Sequence, residues 1–420
     1  MGKIDEMIKK LCPNGVEYAD FLSVCNYIRG ITYNKNDEIN NGAEGIGVFR
    51  ANNITLDSNT LNFDDVKIVS KDVRVKENQW LKKGDILICA GSGSKEHIGK
   101  VAFIFNDLDY TFGGFMGVIR PKQENIISSF LFHIMTSQMF KTHLAKASGA
   151  ASSTINNINN DTWKGFKIPI PPLEIQEEIV KTLDAFTSLT AELTAELTAE
   201  LTARRKQYEY YRDALLSFGK VSPPLTFGLN NEEVRWKTLG ECCDMKAGKA
   251  ISSVNIYKET TKETPIPCYG GNGLRGYVSE SNQNGNFCLI GRQGALCGNV
   301  CYATGKFYAT EHAVVVKNNT SLNSRFLFHL LTSMNLNQYK SQGAQPGLAV
   351  GKLEEIKIPV PSLAMQEKIA NILDNFDAVC NDLNIGLPAE IGLRKKQYEY
   401  YRDRILSFNT NVNNSIHGGG

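Results

Sequence analysis

The chain has 420 residues, 42% hydrophobic and 21% charged, with a formal net charge of +2. This is the composition of an ordinary soluble globular protein of two or three domains. No run of 18 apolar residues occurs and residues 1–10 form a charged amphipathic start, which argues against a membrane span or signal peptide and leads us to expect a cytoplasmic protein.

The ten cysteines show no framework spacing. Cys242-Cys243, and Cys297 with Cys301, lack a paired C-x-x-C or a neighbouring histidine pair, so buried thiols are expected rather than zinc ligands or disulfides. Residues 221–355 hold 13 Lys/Arg against 10 Asp/Glu, a balance that gives nucleic-acid binding no help.

In chain order, Val16-Glu-Tyr-Ala-Asp-Phe-Leu-Ser-Val-Cys25 leads to Gly30. Asp85-Ile-Leu-Ile-Cys89 and Val101-Ala-Phe-Ile-Phe105 read as strands, and Phe130-Leu-Phe-His133 as part of a helix. Pro169, Pro171 and Pro172 forbid helix up to about Leu173. From there to Leu216 neither Gly nor Pro interrupts a pattern of helical period. Such a helix is roughly 65 Å long, too long for a core element, and must pack along a partner of similar length.

Inside it Thr190-Ala-Glu-Leu193 recurs at 194–197 and 198–201. Four residues turn about 400°, so each repeat adds roughly 6 Å while rotating the succeeding residues by only about 40°. The block reads as a length adjuster; solvated low-complexity helix is the plainer alternative. A linker comes next at 219–231, with Pro223, Pro224 and Gly228.

The second half repeats the first. Val234-Arg-Trp-Lys-Thr-Leu-Gly-Glu-Cys-Cys243 leads to Gly248, 218 positions after Gly30. Phe287-Cys-Leu-Ile290 and Ala313-Val-Val-Val316 are strands, and Phe326-Leu-Phe-His329 matches the earlier helix. Lys167-Ile-Pro169, Gln176-Glu177 and Leu183-Asp184-x-Phe186 return as Lys357-Ile-Pro359, Gln366-Glu367 and Leu373-Asp374-x-Phe376. Lys206-Gln-Tyr-Glu-Tyr-Tyr-Arg-Asp213 returns letter for letter at 396–403, an offset of 190. The offsets differ by 218 − 190 = 28, so the second globular unit is 28 residues shorter. Pro388, flanked by Gly386 and Gly392, predicts a kink or break in the second helix before the tyrosine-rich end.

The expected fold is α+β: homologous globular domains at 1–165 and 232–355, long helices at 166–218 and 356–408, and a flexible tail at 409–420. The helices should run antiparallel with a pseudo-twofold relation, one domain toward each end, the C-terminus returning near the N-terminus. That is the symmetry with which dimeric DNA readers match two half-sites.

Catalytic signatures are missing: no phosphate-binding G-x-x-x-x-G-K-[ST], no G-x-G-x-x-G after a strand, no G-x-S-x-G, no H-E-x-x-H. His133 and His329, beside Phe-Leu-Phe, read as structural residues. The chain reads as a binding protein, with its recognition signal in loops. These are Phe49-Arg-Ala-Asn-Asn-Ile54 and Gly91-Ser-Gly-Ser-Lys95 in the first unit. In the second they are Tyr269-Gly-Gly-Asn-Gly-Leu-Arg-Gly-Tyr277, Gly291-Arg-Gln-Gly294 and Gly343-Ala-Gln-Pro-Gly347. Glycine lets backbone approach a phosphate or groove; Arg pairs with guanine and Asn or Gln with adenine. The DNA-contacting candidates are Arg50, Asn52, Asn53, Ser92, Ser94, Lys95, Asn272, Arg275, Arg292, Gln293 and Gln345. Each loop alone is more simply a turn; their recurrence in two homologous units favours function. Tyr208, Tyr211, Arg212, Tyr398, Tyr401 and Arg402 are assigned to helix packing or partner docking, which the sequence does not separate.

At these residues the chain resembles the specificity subunit of a type I restriction-modification system, in the branch whose central helix carries Thr-Ala-Glu-Leu repeats. The carriers are the repeats at 190–201, the paired Lys-Ile-Pro-x-Pro and Gln-Glu segments, the duplicated tyrosine segments, and the loops at 269–277 and 290–294. The resemblance implies two target recognition domains, each reading one part of a split asymmetric DNA sequence. It implies a helical pair docking two modification methyltransferase subunits, which hold S-adenosylmethionine and methylate adenine. Restriction subunits would add ATP- and Mg-dependent translocation and cleavage, so no cofactor is expected in this chain. The repeats become the ruler for the gap. With half-sites about ten base pairs centre to centre, each about three to five long, the gap is about six or seven base pairs. The rival reading is a non-catalytic scaffold whose helical pair joins two protein-binding domains, consistent with the near-neutral charge.

Overall fold

The computed structural model describes residues 2–39, 44–56, 58–93, 96–122, 124–147, 157–218, 234–294, 296–341, 347–381 and 386–408. The expected linker at 219–231 and tail at 409–420 lie outside them. The chain forms two compact units, Met1–Thr194 with Gly392–Gly420, and Ala195–Ile391.

In the first unit, an antiparallel sheet runs in the order Cys25–Arg29, Met116–Pro121, Ile86–Cys89, Val101–Phe103. Successive side chains of a strand point to opposite faces. Ile86 and Ile88 accordingly enter a core with Phe130, Ile134, Trp163, Ile175, Ile179 and Leu183 from the covering helices. Leu87 and Cys89 enter another with Phe49, Phe112 and Val118. The second sheet has the order Glu38–Ile39, Lys67–Val69, Ile46–Phe49, Tyr110–Phe112, the last two parallel.

The second unit repeats this plan. Its first sheet is Cys243–Ala247, Ala313–Asn318, Phe287–Gly291, Val300–Ala303, again antiparallel. Cys288 and Ile290 face a helical core with Phe326, Leu330, Ile369 and Leu373, and Leu289 faces Phe307 and Val315. In its second sheet Ile266–Gly270 pairs in parallel with Lys306–Ala309 and antiparallel with Gly273–Val278. Two sequences that have drifted apart thus retain the strand order of the antiparallel sheet and a three-stranded part of the second sheet, whose fourth strand lies on opposite edges in the two units. This is the internal repeat expected of this α+β chain.

The recurring Lys-Ile-Pro segments are edge strands: Lys167–Pro169 pairs with Tyr18–Asp20, and Lys357–Val360 with Arg235–Thr238. The recurring glutamines tie each helix start to its own unit. Gln176, fully buried, donates to the Asn125 and Pro171 carbonyls and accepts from Ile127 N–H. Gln366 does the same with Ser321, Pro361 and Asn323.

Leu173–Leu216 is one helix of 44 residues. Its residues through Thr194 belong to the first unit and those from Ala195 to the second. Glu192, Glu196 and Glu200 are exposed while Leu193, Leu197 and Leu201 are half-buried, so the repeats present a narrow leucine seam. The second helix is broken: Leu363–Asn381 and Leu387–Leu406 are separate, with 382–385 outside the described residues. Pro388 sits in the first turn of the latter, where a missing N–H costs no helical bond. Within the first unit the end of that helix packs antiparallel to the long helix. The Phe186 and Tyr401 rings lie 6.1 Å apart, Thr187 Oγ1 donates to the Tyr398 hydroxyl at 3.0 Å, and Leu183 shares a core with Ile405. Within the second unit Tyr211 stacks on Phe376 at 5.3 Å. Among the described residues no helix is long and apolar enough to cross a membrane.

Candidate nucleic-acid interface

In the second unit the glycine-rich loops meet. Gly291 abuts Gly271 so closely that a Cβ at Gly291 would lie 1.9 Å from the Gly271 carbonyl oxygen. Only glycine permits that approach. Arg292 N–H donates to His312 O at 2.9 Å, and Leu348 N–H to Arg292 O at 2.8 Å. Gln293 bridges to Gly347, and Asn299 Nδ2 donates to Asn272 Oδ1 at 3.4 Å. Asn272, Arg275 and Gln293 are exposed on this framework, and Arg292 is half-buried. The buried Arg292 Nε, Glu311 Oε2 and His312 Nδ1 have no hydrogen-bond partner among the described residues. Glu311 and His312 carry no glycine-rich signature and are missed by sequence reasoning; their position in the turn between the strands Lys306–Ala309 and Ala313–Asn318 is the available clue. Gln345 lies outside the described residues.

In the first unit, Arg50 opens a short turn, Ala51–Asn53. Its guanidinium and the Asn52 amide both reach Asp65 Oδ2, at 2.8 and 3.0 Å. Asp65 is 63% exposed, so this is a surface pair worth about 0–1 kcal/mol that a phosphate or base edge can replace. Asn53 corrects the sequence expectation. It is fully buried, its Oδ1 accepting from Arg50 N–H at 2.8 Å and its Nδ2 donating to Asn62 O at 3.0 Å. It shapes the loop and has nothing left to offer a base. Ser92 is half-buried beside Gly91, whose N–H donates to Phe115 O at 2.9 Å; Ser94 and Lys95 lie outside the described residues.

The duplicated tyrosine segments separate into inward and outward faces. Tyr208 is buried, its hydroxyl donating to His329 Nδ1 at 3.1 Å, which places it in the core instead of at a docking surface. Burial pushes its phenol up to about 12. Arg402 is likewise buried, paired with Asp403 at 3.0 Å. Arg212 lies 5.7 Å over Tyr208, and Arg402 5.7 Å over Tyr398. Tyr211 and Tyr401 are half-buried against Phe376 and Phe186. The exposed aromatics are Tyr210 and Tyr400, 56% and 59% accessible, which the motif alone does not single out. Two residues beyond an inward tyrosine, a helix has turned about 200°, and that spacing is the available signal.

His329 Nε2 meets Asp374 Oδ1 at 2.7 Å, and Arg325 donates to the same oxygen at 2.6 and 2.8 Å. A carboxylate only accepts, so Nε2 carries the proton and Nδ1 is free to accept from Tyr208. Burial lowers the His329 pKa against the opposing pull of Asp374. Burial would raise Asp374, but hydrogen bonds from Arg325 and His329 carry it below its usual range. All ten cysteines carry free thiols, most of them buried. Burial pushes Cys25 and Cys243 up to about 12, which makes them poor nucleophiles.

The chain matches the family described as "Type I restriction modification DNA specificity domain" over residues 13–203 and 231–393. It is 52% identical over 238 residues to the Escherichia coli type I restriction enzyme EcoprrI specificity subunit, covering 55% of this chain and 57% of that one. It is 34% identical over 281 residues to the Escherichia coli EcoR124I/EcoR124II specificity subunit, covering 60% of this chain and 65% of that one. These alignments therefore span less than two thirds of either relative's length. A chain from a structure of type I R-M complex assembly and conformational transition has a similar fold. Its TM-score is 0.66 at 18% identity, covering 95% of this chain and 99% of that one. The HsdS subunit from Thermoanaerobacter tengcongensis gives 0.50 at 19% identity, covering 94% and 97%.

Proposed function

The chain belongs to the type I restriction modification DNA specificity family, and from that premise we propose that its two units read the two halves of a split, asymmetric DNA site. The carrying observation is the strand order that the antiparallel sheets of the two units share, combined with loops of different sequence. One scaffold is used twice, and the parts that differ are those with the side chains that pair with bases.

The units act as target recognition domains, with Arg50 and Asn52 in the first and Asn272, Arg275, Arg292 and Gln293 in the second facing DNA. The chain is the non-catalytic specificity component. Adenine methylation belongs to two modification methyltransferase subunits that bind S-adenosylmethionine, and cleavage to restriction subunits that use ATP and Mg. Tyr210 and Tyr400, exposed at equivalent positions of the duplicated segment, are the natural docking points for those partners. The complex works in the cytoplasm, where its DNA lies. The repeats at 190–201 set a gap of about six or seven base pairs between half-sites.

Long-read methylation mapping tests this in cells expressing the chain with its methyltransferase and in cells lacking it. Methyladenine at one split motif, present only with the chain, is the expected result. Methylation indifferent to the chain would sink the reading in favour of a protein scaffold. Deleting residues 198–201 should shorten the gap by about one base pair and leave both half-sites unchanged; a changed half-site would remove the ruler role.

A further inference from the structure

We propose that the first unit carries a second, sequence-independent DNA contact: a cationic cleft that grips the phosphodiester backbone, distinct from the base-reading loops. The cleft encloses about 680 Å³ and is lined by Asn26, Arg29, Arg74, Lys76, Asn78 and Gln79, with Arg120 behind them. Among the described residues no carboxylate lines it. Arg120 is already neutralised, its Nε and Nη2 both 2.7 Å from the buried Asp85 carboxylate. Arg29, Arg74 and Lys76 are exposed and meet no acidic partner among the described residues.

The walls are fixed before any ligand arrives. Gln79 Nε2 donates to Arg29 O at 2.9 Å and its Oε1 accepts from Lys76 N–H at 3.0 Å. Thr111 Oγ1 donates to Gln79 O at 2.8 Å, and Arg120 Nη2 to Trp80 O at 3.1 Å. Arg29 is itself aimed by the Gly114 carbonyl at 3.1 Å and Asn157 Oδ1 at 3.2 Å. One aimed guanidinium, Arg29, with the exposed Arg74 and Lys76 cations and the Asn26 and Asn78 amides beside it, is the chemistry of phosphate recognition. Among the described lining residues the one aromatic, Tyr27, is committed to Trp163 and to Ile158 O and offers a base no stacking seat. That favours an extended polyanion over a mononucleotide.

The clamp belongs to one unit. Sixteen residues separate Val69 from Ile86 in the first unit, against eight between Val278 and Phe287 in the second. The wall at 74–79 lies in that longer stretch. None of the residues 26–32 or 74–79 is among the base-reading candidates, so the cleft supplies affinity without sequence information.

The inference rests on the DNA-reading function proposed for the two units, and one salt titration separates their failures. The full chain, with its methyltransferase subunits, is titrated with duplexes carrying or lacking the mapped motif. Each neutralised phosphate contributes about 0.9 to the salt slope, so Arg74→Ala with Lys76→Ala should lower it by about 2. Both duplexes should be bound on the order of tenfold more weakly, with the methylated motif unchanged. The exchange variant Arg74→Lys with Lys76→Arg should keep the wild-type slope. An unchanged slope in the alanine variant, or an altered motif, overturns the clamp. Failure of the wild-type complex to prefer its motif overturns the functional reading instead.

Discussion

The first unit leaves Nδ1 of its buried His133 without a partner among the described residues, whereas the second closes the matching position with Tyr208, Asp374 and Arg325. The histidines occupy equivalent helical sites and each meets an aspartate, His133 reaching Asp184 at 2.9 Å. The difference lies around them. Asp184 is 62% exposed and Asp374 32%. Where Arg325 stands in the second unit, the Phe-Leu-Phe register places Ser129 in the first. Tyr398, the counterpart of Tyr208, bonds Thr187. A duplicated scaffold therefore kept its fold while only one copy completed its polar network. An orphaned buried nitrogen costs about 1–3 kcal/mol, so the second junction of helix and sheet should be the firmer.

The strongest way to break that comparison is to remove each aspartate. Asp374→Ala strands His329 and Arg325 and should destabilise the second unit by about 2–3 kcal/mol, a value reduced because the pair is partly exposed. Asp184→Ala should cost the first unit about 1 kcal/mol or less. Hydrogen exchange resolved by unit measures both; equal losses would show that the networks are energetically alike.

Function offers a second contrast. Arg292→Ala should remove about 1–3 kcal/mol of discrimination at one half-site and spare the other. Methylation mapping reads this directly, and loss at both halves would contradict the proposed division of labour between units. A smaller effect sharpens the network itself. Tyr208→Phe should cost about 1 kcal/mol in urea denaturation, and Tyr398→Phe less, since its hydroxyl is less buried.

The mildest test is acidification. Burial holds the His329 pKa below its ordinary 6.5, so the unfolded chain takes the proton first. The second unit's stability is therefore complete above that value and declines as pH falls through it toward the folded pKa. Asp374, also held low, adds its loss only below about 3.8. Exchange rates of the second unit at pH 7.5 and 5.5 report the first effect, which His329→Gln should abolish. A stability that rises on acidification would reverse the sign assigned to His329.

Much of this is legible in the chain. The long helix begins and ends where Pro172 and the end of the periodic pattern place it, Leu173 to Leu216. The break near Pro388, the strands at 86–89 and 287–291, and the duplication arise from local dihedral limits and short-range periodicity. Other features are not legible. Asn53 reads like Asn52 in sequence, yet one is buried and the other exposed. Tyr208 and Tyr210 share a motif, yet only the first finds a histidine 121 positions away.

Sequence alone determined the secondary elements, their repetition and the absence of familiar catalytic motifs, because those depend on neighbours within a few residues. Tertiary structure alone decided which polar side chains are consumed by the fold, where the long helix passes from one unit to the other, and that Arg29, Arg74 and Lys76 share a cleft. Burial and charge pairing are set by residues distant in sequence, and local pattern carries no record of them.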